Sequence, residues 1–315
     1  MLKIEDSEEL QIAIEANNLS VQYNSHSALQ LPDLTAQGNT IAIIGHNGAG
    51  KSTLLKSMLG ITSMQGQLQV KHLKGNESLT LFPENDMAFC PEYGSVFPDI
   101  RVEEYIKLWC RIKRLDAKYY LKQGLKYIEL LDVAPLLKRM GRALSKGERR
   151  RIQTAVGFLT GPKVFLFDEP FCGLDIERTF QLETILKQES ENCAVILASH
   201  RMEVVERLAD YVIVLRQGKL LTAGSTQAVA ARLSGKEYTI SKASNPKALA
   251  ENLRENFLDS LVIESGAEVK LISPNIKVAD LTELIRAQDK NGAFFVDKNP
   301  SLTEALQYHL KFEKK

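Results

Sequence analysis

The chain has 315 residues, and its 40 lysine and arginine residues almost balance 39 aspartate and glutamate residues, which leaves a formal net charge of +1. This length predicts one large and one small domain, because single hydrophobic cores stop growing at about 250 to 300 residues. The balanced charge excludes a whole-chain field that would draw the protein to nucleic acid or to an anionic bilayer. Four widely separated cysteines without a CxxC pair predict reduced thiols in a cytosolic protein.

The first ten residues, MLKIEDSEEL, include neighbouring acids and no apolar segment of the signal-peptide type. No stretch of the chain approaches the roughly 18 apolar residues that a membrane helix needs. We therefore expect neither secretion nor a membrane span, and we interpret residues 1–10 as an N-terminal extension.

Short apolar runs alternate with segments of helical spacing over residues 11–230. The runs are IAIIG, KVFLFDE, CAVILAS and YVIVLRQGK. This alternation predicts an α/β domain with a mainly parallel, covered sheet. Over residues 95–157 the pattern is helical with no strand-like run in its first part, which predicts a helical subdomain inserted into the α/β core.

A different pattern begins after GKLLTAGST, and we place a C-terminal domain at residues 231–315. From Glu237 onward the sequence predicts a strand, a helix, two strands, a helix, a strand and a last helix. This βαββαβ order suits a small split βαβ sandwich of the α+β class.

The sequence GHNGAGKST, directly after the apolar run at Ile41–Ile44, matches the pattern G-x-x-x-x-G-K-[ST]. Its glycines let backbone N–H groups face a polyphosphate, and the next helix adds its positive N-terminal end. Lys51 is expected to reach the β and γ phosphates, and Ser52 to place its hydroxyl on Mg²⁺. The alternative is a glycine-rich turn with a chance lysine. The predicted nucleotide-binding residues of this loop are Gly45, Asn47, Gly48, Ala49, Gly50, Lys51, Ser52 and Thr53.

Two adjacent carboxylates end the apolar strand KVFLFDEP. Buried carboxylates are costly unless a cation compensates them. Asp168 is predicted to hold Mg²⁺ through water, and Glu169 to orient and polarise the water that attacks the γ phosphate. The alternative is a strand that ends in solvated acids.

These two motifs occur with LSKGE at residues 144–148, GLD at 173–175 and His200, in the order and approximate spacing of the ATP-binding cassette (ABC) ATPases. The chain resembles this family over residues 11–230. The resemblance implies a P-loop NTPase cassette with a mainly parallel sheet, an antiparallel β part and a helical subdomain. It also implies Mg-dependent ATP hydrolysis, with ATP and Mg²⁺ bound between two cassettes.

The resemblance assigns the LSKGE segment to the signature that meets the nucleotide of the partner cassette. Ser145, Gly147 and Glu148 are therefore expected at that nucleotide, and Ser145 with Glu148 also forms an S-x-x-E capping box at a helix start. The usual pattern is LSGGQ. Because Lys146 and Glu148 depart from it, a cation is expected near the phosphate and a carboxylate near the ribose.

Four further residues receive roles by resemblance, and three of them have a plain alternative. His200 matches the switch histidine between the γ phosphate and the general base, and the alternative is an ordinary core or surface histidine. Tyr23 fits the aromatic that stacks on adenine, or is a simple strand tyrosine. Asp175 matches the acid of the loop that signals between cassettes. Glu92 stands where the family commonly has a glutamine that touches Mg²⁺, or is a solvated loop acid.

Two surfaces complete the prediction. The segment Tyr93–Tyr105, with Val96, Phe97 and Ile100, is the candidate for docking a coupling helix of a membrane partner. Residues 138–151 carry seven basic side chains within fourteen positions. We expect this run to be largely solvated with some of it facing nucleotide, and a membrane or nucleic-acid patch is the alternative.

The resemblance implies the ATP-hydrolysing subunit of an ABC transporter, at the cytoplasmic face of the cell membrane. Its expected partners are an integral membrane permease on a separate chain and a second cassette in a homodimer, with no nucleic acid. The C-terminal domain resembles the tails of sodium-extrusion, drug-resistance and nodulation exporters, which favours export. The alternatives are a cassette ATPase that acts on ribosomes or DNA, and a regulatory ATPase that acts on a soluble or membrane partner without driving transport.

Overall fold

The computed structural model of the protein describes residues 11–24, 26–93, 96–289 and 293–312. The chain forms two compact units, Met1–Ala223 and Gly224–Lys315. The predicted N-terminal extension at residues 1–10 lies outside the described residues.

Within the described residues of the first unit, ten strands form one sheet with the spatial order β5-β4-β1-β2-β10-β9-β3-β8-β7-β6. The pairs among β3, β6, β7, β8 and β9 are parallel, whereas β1 pairs antiparallel with β2 and β4, and β4 pairs antiparallel with β5. The predicted parallel core with an antiparallel part is confirmed. The strands are β1 (Gln11–Tyr23), β2 (His26–Gly38), β3 (Thr40–Ile44), β4 (Gln65–Lys74), β5 (Glu77–Thr80), β6 (Met87–Cys90), β7 (Val164–Asp168), β8 (Ala194–Ser199), β9 (Tyr211–Arg216) and β10 (Lys219–Gly224).

The helices of the first unit connect these strands. They are α1 (Lys51–Met58), α2 (Pro83–Asp86), α3 (Val102–Ile112), α4 (Ala117–Tyr119), α5 (Leu125–Leu130), α6 (Lys146–Leu159), α7 (Ile176–Glu189) and α8 (Met202–Leu208). A π-helical turn at Tyr120–Gly124 and 3₁₀ turns at Ala134–Leu136 and Gly141–Ala143 join the helices between β6 and β7. The predicted helical insertion corresponds to this segment. No helix in the described part of the chain is long and apolar enough to cross a membrane.

Apolar residues explain why β3, β8 and β7 lie inside the parallel part of the sheet, each between two other strands. All residues of these three strands are buried, and alternate side chains along each strand pack with Leu54 and Leu55 of α1 in one hydrophobic core. The parallel register pairs Ile44 with Ser199 and Asp168 with Ala198. The carboxyl ends of the three strands therefore meet at one edge of the sheet, where the loops that follow them begin.

The second unit contains a four-stranded antiparallel sheet in the order β12-β13-β11-β14. Leu249 and Leu253 of α10 and Leu281 and Ile285 of α11 pack in one core with the sheet. The predicted split βαβ sandwich is confirmed. The elements are α9 (Thr226–Ser234), β11 (Lys236–Ser241), α10 (Pro246–Asn256), β12 (Leu261–Ser265), β13 (Glu268–Ser273), α11 (Val278–Gln288), β14 (Phe294–Lys298) and α12 (Leu302–Phe312). Because α9 packs against α12, the second unit begins ahead of the boundary that the sequence predicted at residue 231.

Candidate functional site

The glycine-rich loop between β3 and α1 is shaped by left-handed backbone. Gly45, Gly48 and Gly50 have φ angles of 154°, 80° and 101°. A Cβ at Gly45 would lie 2.3 Å from the Leu215 carbonyl oxygen, so only glycine fits there. A Cβ at Gly48 would meet nothing within 4 Å, so this side of the loop is open. The loop and the N-terminal end of α1 thus form a backbone cradle that suits an anion.

Lys51, the first residue of α1, lies folded over this loop. It is 6% exposed, and its Nζ donates to the Gly45 carbonyl at 2.8 Å and to the His46 carbonyl at 3.3 Å. The same Nζ lies 3.7 Å from Oε1 of Glu169. The predicted phosphate-binding lysine and the predicted general base therefore share one buried corner of the unit.

Glu169 occupies a constrained position directly after β7. Its φ of 49° is uncommon for a residue other than glycine. Two backbone hydrogen bonds fix it, because its N–H donates to Ala198 at 2.9 Å and its carbonyl accepts from Cys172 at 3.1 Å. Nδ1 of His200, which follows β8, lies 2.8 Å from Oε2 of Glu169. The parallel strands β7 and β8 thus bring the predicted base and the predicted switch histidine into contact.

Two carboxylate oxygens at this edge have no hydrogen-bond partner among the described residues. They are Oδ1 of Asp168 and Oε1 of Glu169, and both are buried. Burial raises the pKa of Asp168; the Ser52 hydroxyl and Lys51 oppose this rise, whereas the charges of Glu169 and Glu92 add to it. A hydroxyl beside clustered carboxylates is the oxygen donor set that Mg²⁺ prefers, so these residues fit a magnesium nucleotide.

The signature segment begins helix α6. The Ser145 Oγ accepts from the Glu148 N–H at 3.2 Å, and the Glu148 Oε2 accepts from the Ser145 N–H at 2.7 Å. The predicted capping box is confirmed. Arg139 donates to Glu148 Oε1 at 2.5 Å, so both carboxylate oxygens of Glu148 are engaged within the unit. Sequence reasoning, which expected this carboxylate to face a ribose, did not anticipate these contacts.

The remaining predicted residues lie on other loops. Tyr23, at the end of β1, is 43% exposed and accepts a hydrogen bond from Thr62 at 3.0 Å. Asp175 caps α7 by accepting from the Arg178 N–H at 2.8 Å. Lys146 donates to the Cys172 Sγ at 3.1 Å. None of these contacts reaches the glycine-rich loop between β3 and α1, so the roles of these residues at a nucleotide stay predictions.

Residues 34–172 match the sequence model of the family described as ABC transporter. The chain carries an ABC transporter ATPase domain. Domains of this family bind ATP with Mg²⁺ and hydrolyse it, and the loop, the lysine and the two carboxylates described above are the parts that the resemblance assigned to this chemistry. The predicted family is confirmed.

Two curated relatives and one solved structure show the range of the similarity. The "Molybdenum import ATP-binding protein ModC 1" of Azotobacter vinelandii is 32% identical over 209 residues, or 64% of this chain and 57% of that protein. The rat "Phospholipid-transporting ATPase ABCA3" is 24% identical over 280 residues, or 85% of this chain and 16% of that protein. A structure described as "Structure of ATP binding subunit of ABC transporter" shares the fold, with a TM-score of 0.61 and 24% identity over 70% of this chain and 92% of that chain.

The basic run at residues 138–151 differs from the prediction. We expected largely solvated side chains, but Arg150 is 3% exposed, so the expectation is wrong at this residue. Two consecutive arginines of α6 bind different parts of the first unit. Arg151 donates to the Asp132 carboxylate at 2.8 Å, whereas Arg150 donates to the Pro91 carbonyl in the loop after β6. The spacing of Arg150 from Thr154 and Phe158, at i+4 and i+8 on the buried face, is the sequence signal that could have found it.

The buried Asp168 carboxylate, whose Oδ1 has no hydrogen-bond partner among the described residues, is predicted to lower the stability of the nucleotide-free protein. Because folding raises its pKa, the folded protein binds this proton more tightly than the unfolded chain. The stability that the group supplies is therefore present at acid pH and is lost as the pH rises through the raised pKa, so ionised Asp168 opposes folding at neutral pH. Asp168→Asn should raise the stability of the nucleotide-free protein by about 1 kcal/mol, a Tm increase of a few degrees. Thermal unfolding at pH 7 measures this.

Asp210→Asn provides the matched control. The Asp210 Oδ2 accepts from the N–H groups of Asn39 and Thr40 at 3.0 and 2.8 Å, so its carboxylate is satisfied and the same change should lower Tm. Adding Mg²⁺ to the ATP-bound protein should raise the Tm of wild type and of Asp210→Asn but not of Asp168→Asn. A lower Tm for nucleotide-free Asp168→Asn would contradict this account.

Proposed function

We propose that this chain is the ATP-hydrolysing subunit of an ABC transporter and that it drives an integral membrane permease on a separate chain. The observation that carries the proposal is the convergence on Glu169, which has the Lys51 Nζ at 3.7 Å from one oxygen and the His200 Nδ1 at 2.8 Å from the other. This places a cation, a carboxylate and a histidine beside one open glycine loop.

In the proposed reaction the loop N–H groups and α1 bind the phosphates, and Lys51 exchanges its carbonyl partners for phosphate oxygens. Ser52, Asp168 and Glu92 are the residues that would hold Mg²⁺. Bound Mg²⁺ would neutralise charge that develops on the phosphate oxygens. Glu169 accepts a proton from water through Oε1, which has no hydrogen-bond partner among the described residues, while His200 holds the other oxygen by donating from Nδ1.

A second copy of the chain completes the site in this proposal. The N-terminal end of α6 is capped by Ser145 and carries the positive end of a 14-residue helix. We place it, with Gly147 and Glu148, at the nucleotide of the partner cassette in a homodimer. Tyr23 supplies the adenine stack and Asp175 the contact between cassettes.

The proposed docking surface for the permease includes only part of the predicted segment Tyr93–Tyr105, because some of its residues are buried. Val96 and Tyr105 are 2% and 6% exposed, and the Tyr105 ring packs edge-on against Phe97 with ring centroids 5.8 Å apart. Tyr93 and Phe97 are 84% and 47% exposed and remain candidates. Residues 94 and 95 of the segment lie outside the described residues.

Exposed apolar side chains continue beyond this segment. Lys113, just after α3, donates to the Glu84 carbonyl at 2.7 Å, which brings the end of α3 to the α2 region. Ile112 and Phe82, on the two sides of this contact, are 55% and 58% exposed. Such apolar groups suit a membrane partner's helix on the cytoplasmic side.

We propose export as the direction of transport. The support is the second unit, whose split sandwich and closing helix resemble the tails of exporter cassettes. The similarity to the rat phospholipid-transporting ATPase covers 280 residues and must extend into this unit, because the first unit ends at Ala223. The alignment to the molybdenum import protein, at 209 residues, is shorter than the first unit.

The test uses Glu169→Gln, which should trap the ATP-bound dimer, as bait in detergent-solubilised native membranes with ATP. Recovery of one multi-span membrane protein that also stimulates the wild-type ATPase after reconstitution is the expected result. The double variant Glu169→Gln/Phe97→Asp should bind ATP equally and lose this partner. Retention of ribosomal or other soluble proteins instead would contradict the transporter proposal and favour a non-transport ATPase.

A further inference from the structure

Arg150 is a buried cation in the second turn of α6, five residues after Ser145. Its Nη1 donates to the Pro91 carbonyl at 2.9 Å and contacts the Cys90 Sγ at 3.1 Å, and its Nη2 donates to the Glu92 carbonyl at 3.1 Å. These partners are two backbone oxygens and a thiol, not a carboxylate. Among the described residues the guanidinium therefore holds the backbone of two consecutive residues, Pro91 and Glu92, and the side chain of Cys90 before them.

The shape of the side chain suits this task. A guanidinium presents several donors in a rigid planar fork, which can bind carbonyls of consecutive residues at the same time. Charge-assisted hydrogen bonds of this kind are stronger than neutral ones. Loss of the fork would leave the Pro91 and Glu92 carbonyls without this donor, so the loop would move to find water or other partners.

The loop held by Arg150 leads to the metal side of the nucleotide site. Cys90 ends β6 and pairs in parallel with Phe167 of β7, the residue before Asp168. Glu92 lies just beyond this pair, close enough for its charge to disfavour ionisation of Asp168. The backbone that Arg150 binds is thus the backbone that carries Glu92 to the edge where Ser52 and Asp168 lie.

We propose that Arg150 is a positioning residue that locks the Glu92 loop to the signature helix α6. The proposal rests on the proposed ATPase function. It means that Glu92 keeps its place at the cation of one nucleotide only while α6 keeps its orientation, and α6 carries Ser145 toward the other nucleotide. The buried Arg150 side chain then links Glu92, at the Mg²⁺ of one nucleotide, to Ser145, which faces the nucleotide of the partner cassette.

The experiment compares Arg150→Gln and Arg150→Lys with Arg151→Gln. Arg151 is the matched control, because it donates to the Leu131 and Asp132 carbonyls and to the Asp132 carboxylate from the same helix without touching the Glu92 loop. Affinity for Mn²⁺ is measured by electron paramagnetic resonance on protein saturated with a non-hydrolysable ATP analogue. Affinity for a fluorescent ATP analogue is measured separately in EDTA, and alkylation of Cys90 is followed by mass spectrometry.

Arg150→Gln should weaken Mn²⁺ binding by about 10- to 100-fold, the effect typical of losing a residue that orients a metal ligand. Nucleotide affinity in EDTA should stay within about twofold, since the phosphate loop is untouched. Cys90, which is fully buried, should become reactive. Arg150→Lys should recover part of the Mn²⁺ affinity, and Arg151→Gln should match wild type in both metal affinity and Cys90 reactivity.

Wild-type Mn²⁺ affinity in Arg150→Gln and Arg150→Lys would overturn the proposal. An equal loss of Mn²⁺ affinity in Arg151→Gln would also overturn it, because the effect would then come from general damage to α6. If wild type binds neither nucleotide nor Mn²⁺, the proposed ATPase function fails; Cys90 reactivity unchanged by Arg150→Gln would then reject the loop lock as well.

Discussion

Glu169→Gln should lower ATP turnover by about three orders of magnitude while ATP binding is retained. The amide keeps the shape of the side chain but cannot take a proton from water, and general bases contribute about 10²- to 10⁴-fold to rate. Glu169 is buried, and its two carboxylate oxygens contact Lys51 and His200, which hold it beside the glycine-rich loop. Steady-state phosphate release and equilibrium binding of a fluorescent ATP analogue measure the two effects.

Glu183→Gln is the control for this change. Glu183 is also buried in the first unit, where it accepts from the Arg207 Nε at 2.9 Å and from the Arg207 Nη2 at 2.7 Å. This variant should lose stability and keep its turnover number. Equal turnover in wild type and Glu169→Gln would remove Glu169 from the mechanism.

Lys51→Ala should reduce turnover at least 100-fold and weaken ATP binding at least tenfold. The ammonium is the buried positive charge of the phosphate loop, and its loss leaves the loop with backbone dipoles alone to hold a polyanion. It also leaves Glu169 without its neighbouring cation, 3.7 Å away. ATP titration followed by fluorescence, together with the ATPase assay, measures both effects.

Lys56→Ala provides the matched control, since Lys56 lies on the same helix α1 but is exposed. It should bind and hydrolyse ATP as wild type does. If Lys51→Ala, Lys56→Ala and wild type hydrolysed ATP at the same rate, the activity would belong to another protein in the preparation, and the assignment of this loop would fail.

Local features of the fold were open to prediction because short segments encode them. The phosphate loop needs glycines at fixed positions between a buried strand and a helix, and Gly45 cannot carry a side chain. The capping box needs only the spacing of Ser145 and Glu148. The βαββαβ pattern of the second unit likewise follows from periodicity. The unit begins at Gly224 and not at the predicted residue 231, because α9 packs against α12.

Burial and contacts that depend on how segments pack together could not be predicted from residue types. Val96 is an apolar loop residue like Phe97, yet one is buried and the other exposed. The sequence predicted the Glu148 carboxylate at a ligand, but Arg139, from a preceding turn, donates a hydrogen bond to it. Arg150 belongs to a run of charged residues, and such runs are usually exposed to solvent. It is buried because α6 packs against β6 and the loop that follows β6.

The sequence by itself determined the family and the element order and predicted the phosphate-binding residues, because glycine spacing, apolar periodicity and the acids at a strand end are local properties of the chain. The tertiary structure decided which of these residues meet. Glu169 and His200 touch because β7 and β8 run parallel and end at the same edge, and Arg150 reaches the Glu92 loop because α6 packs beside β6. Distances between segments far apart in the chain are set by strand register and core packing, which no single segment encodes.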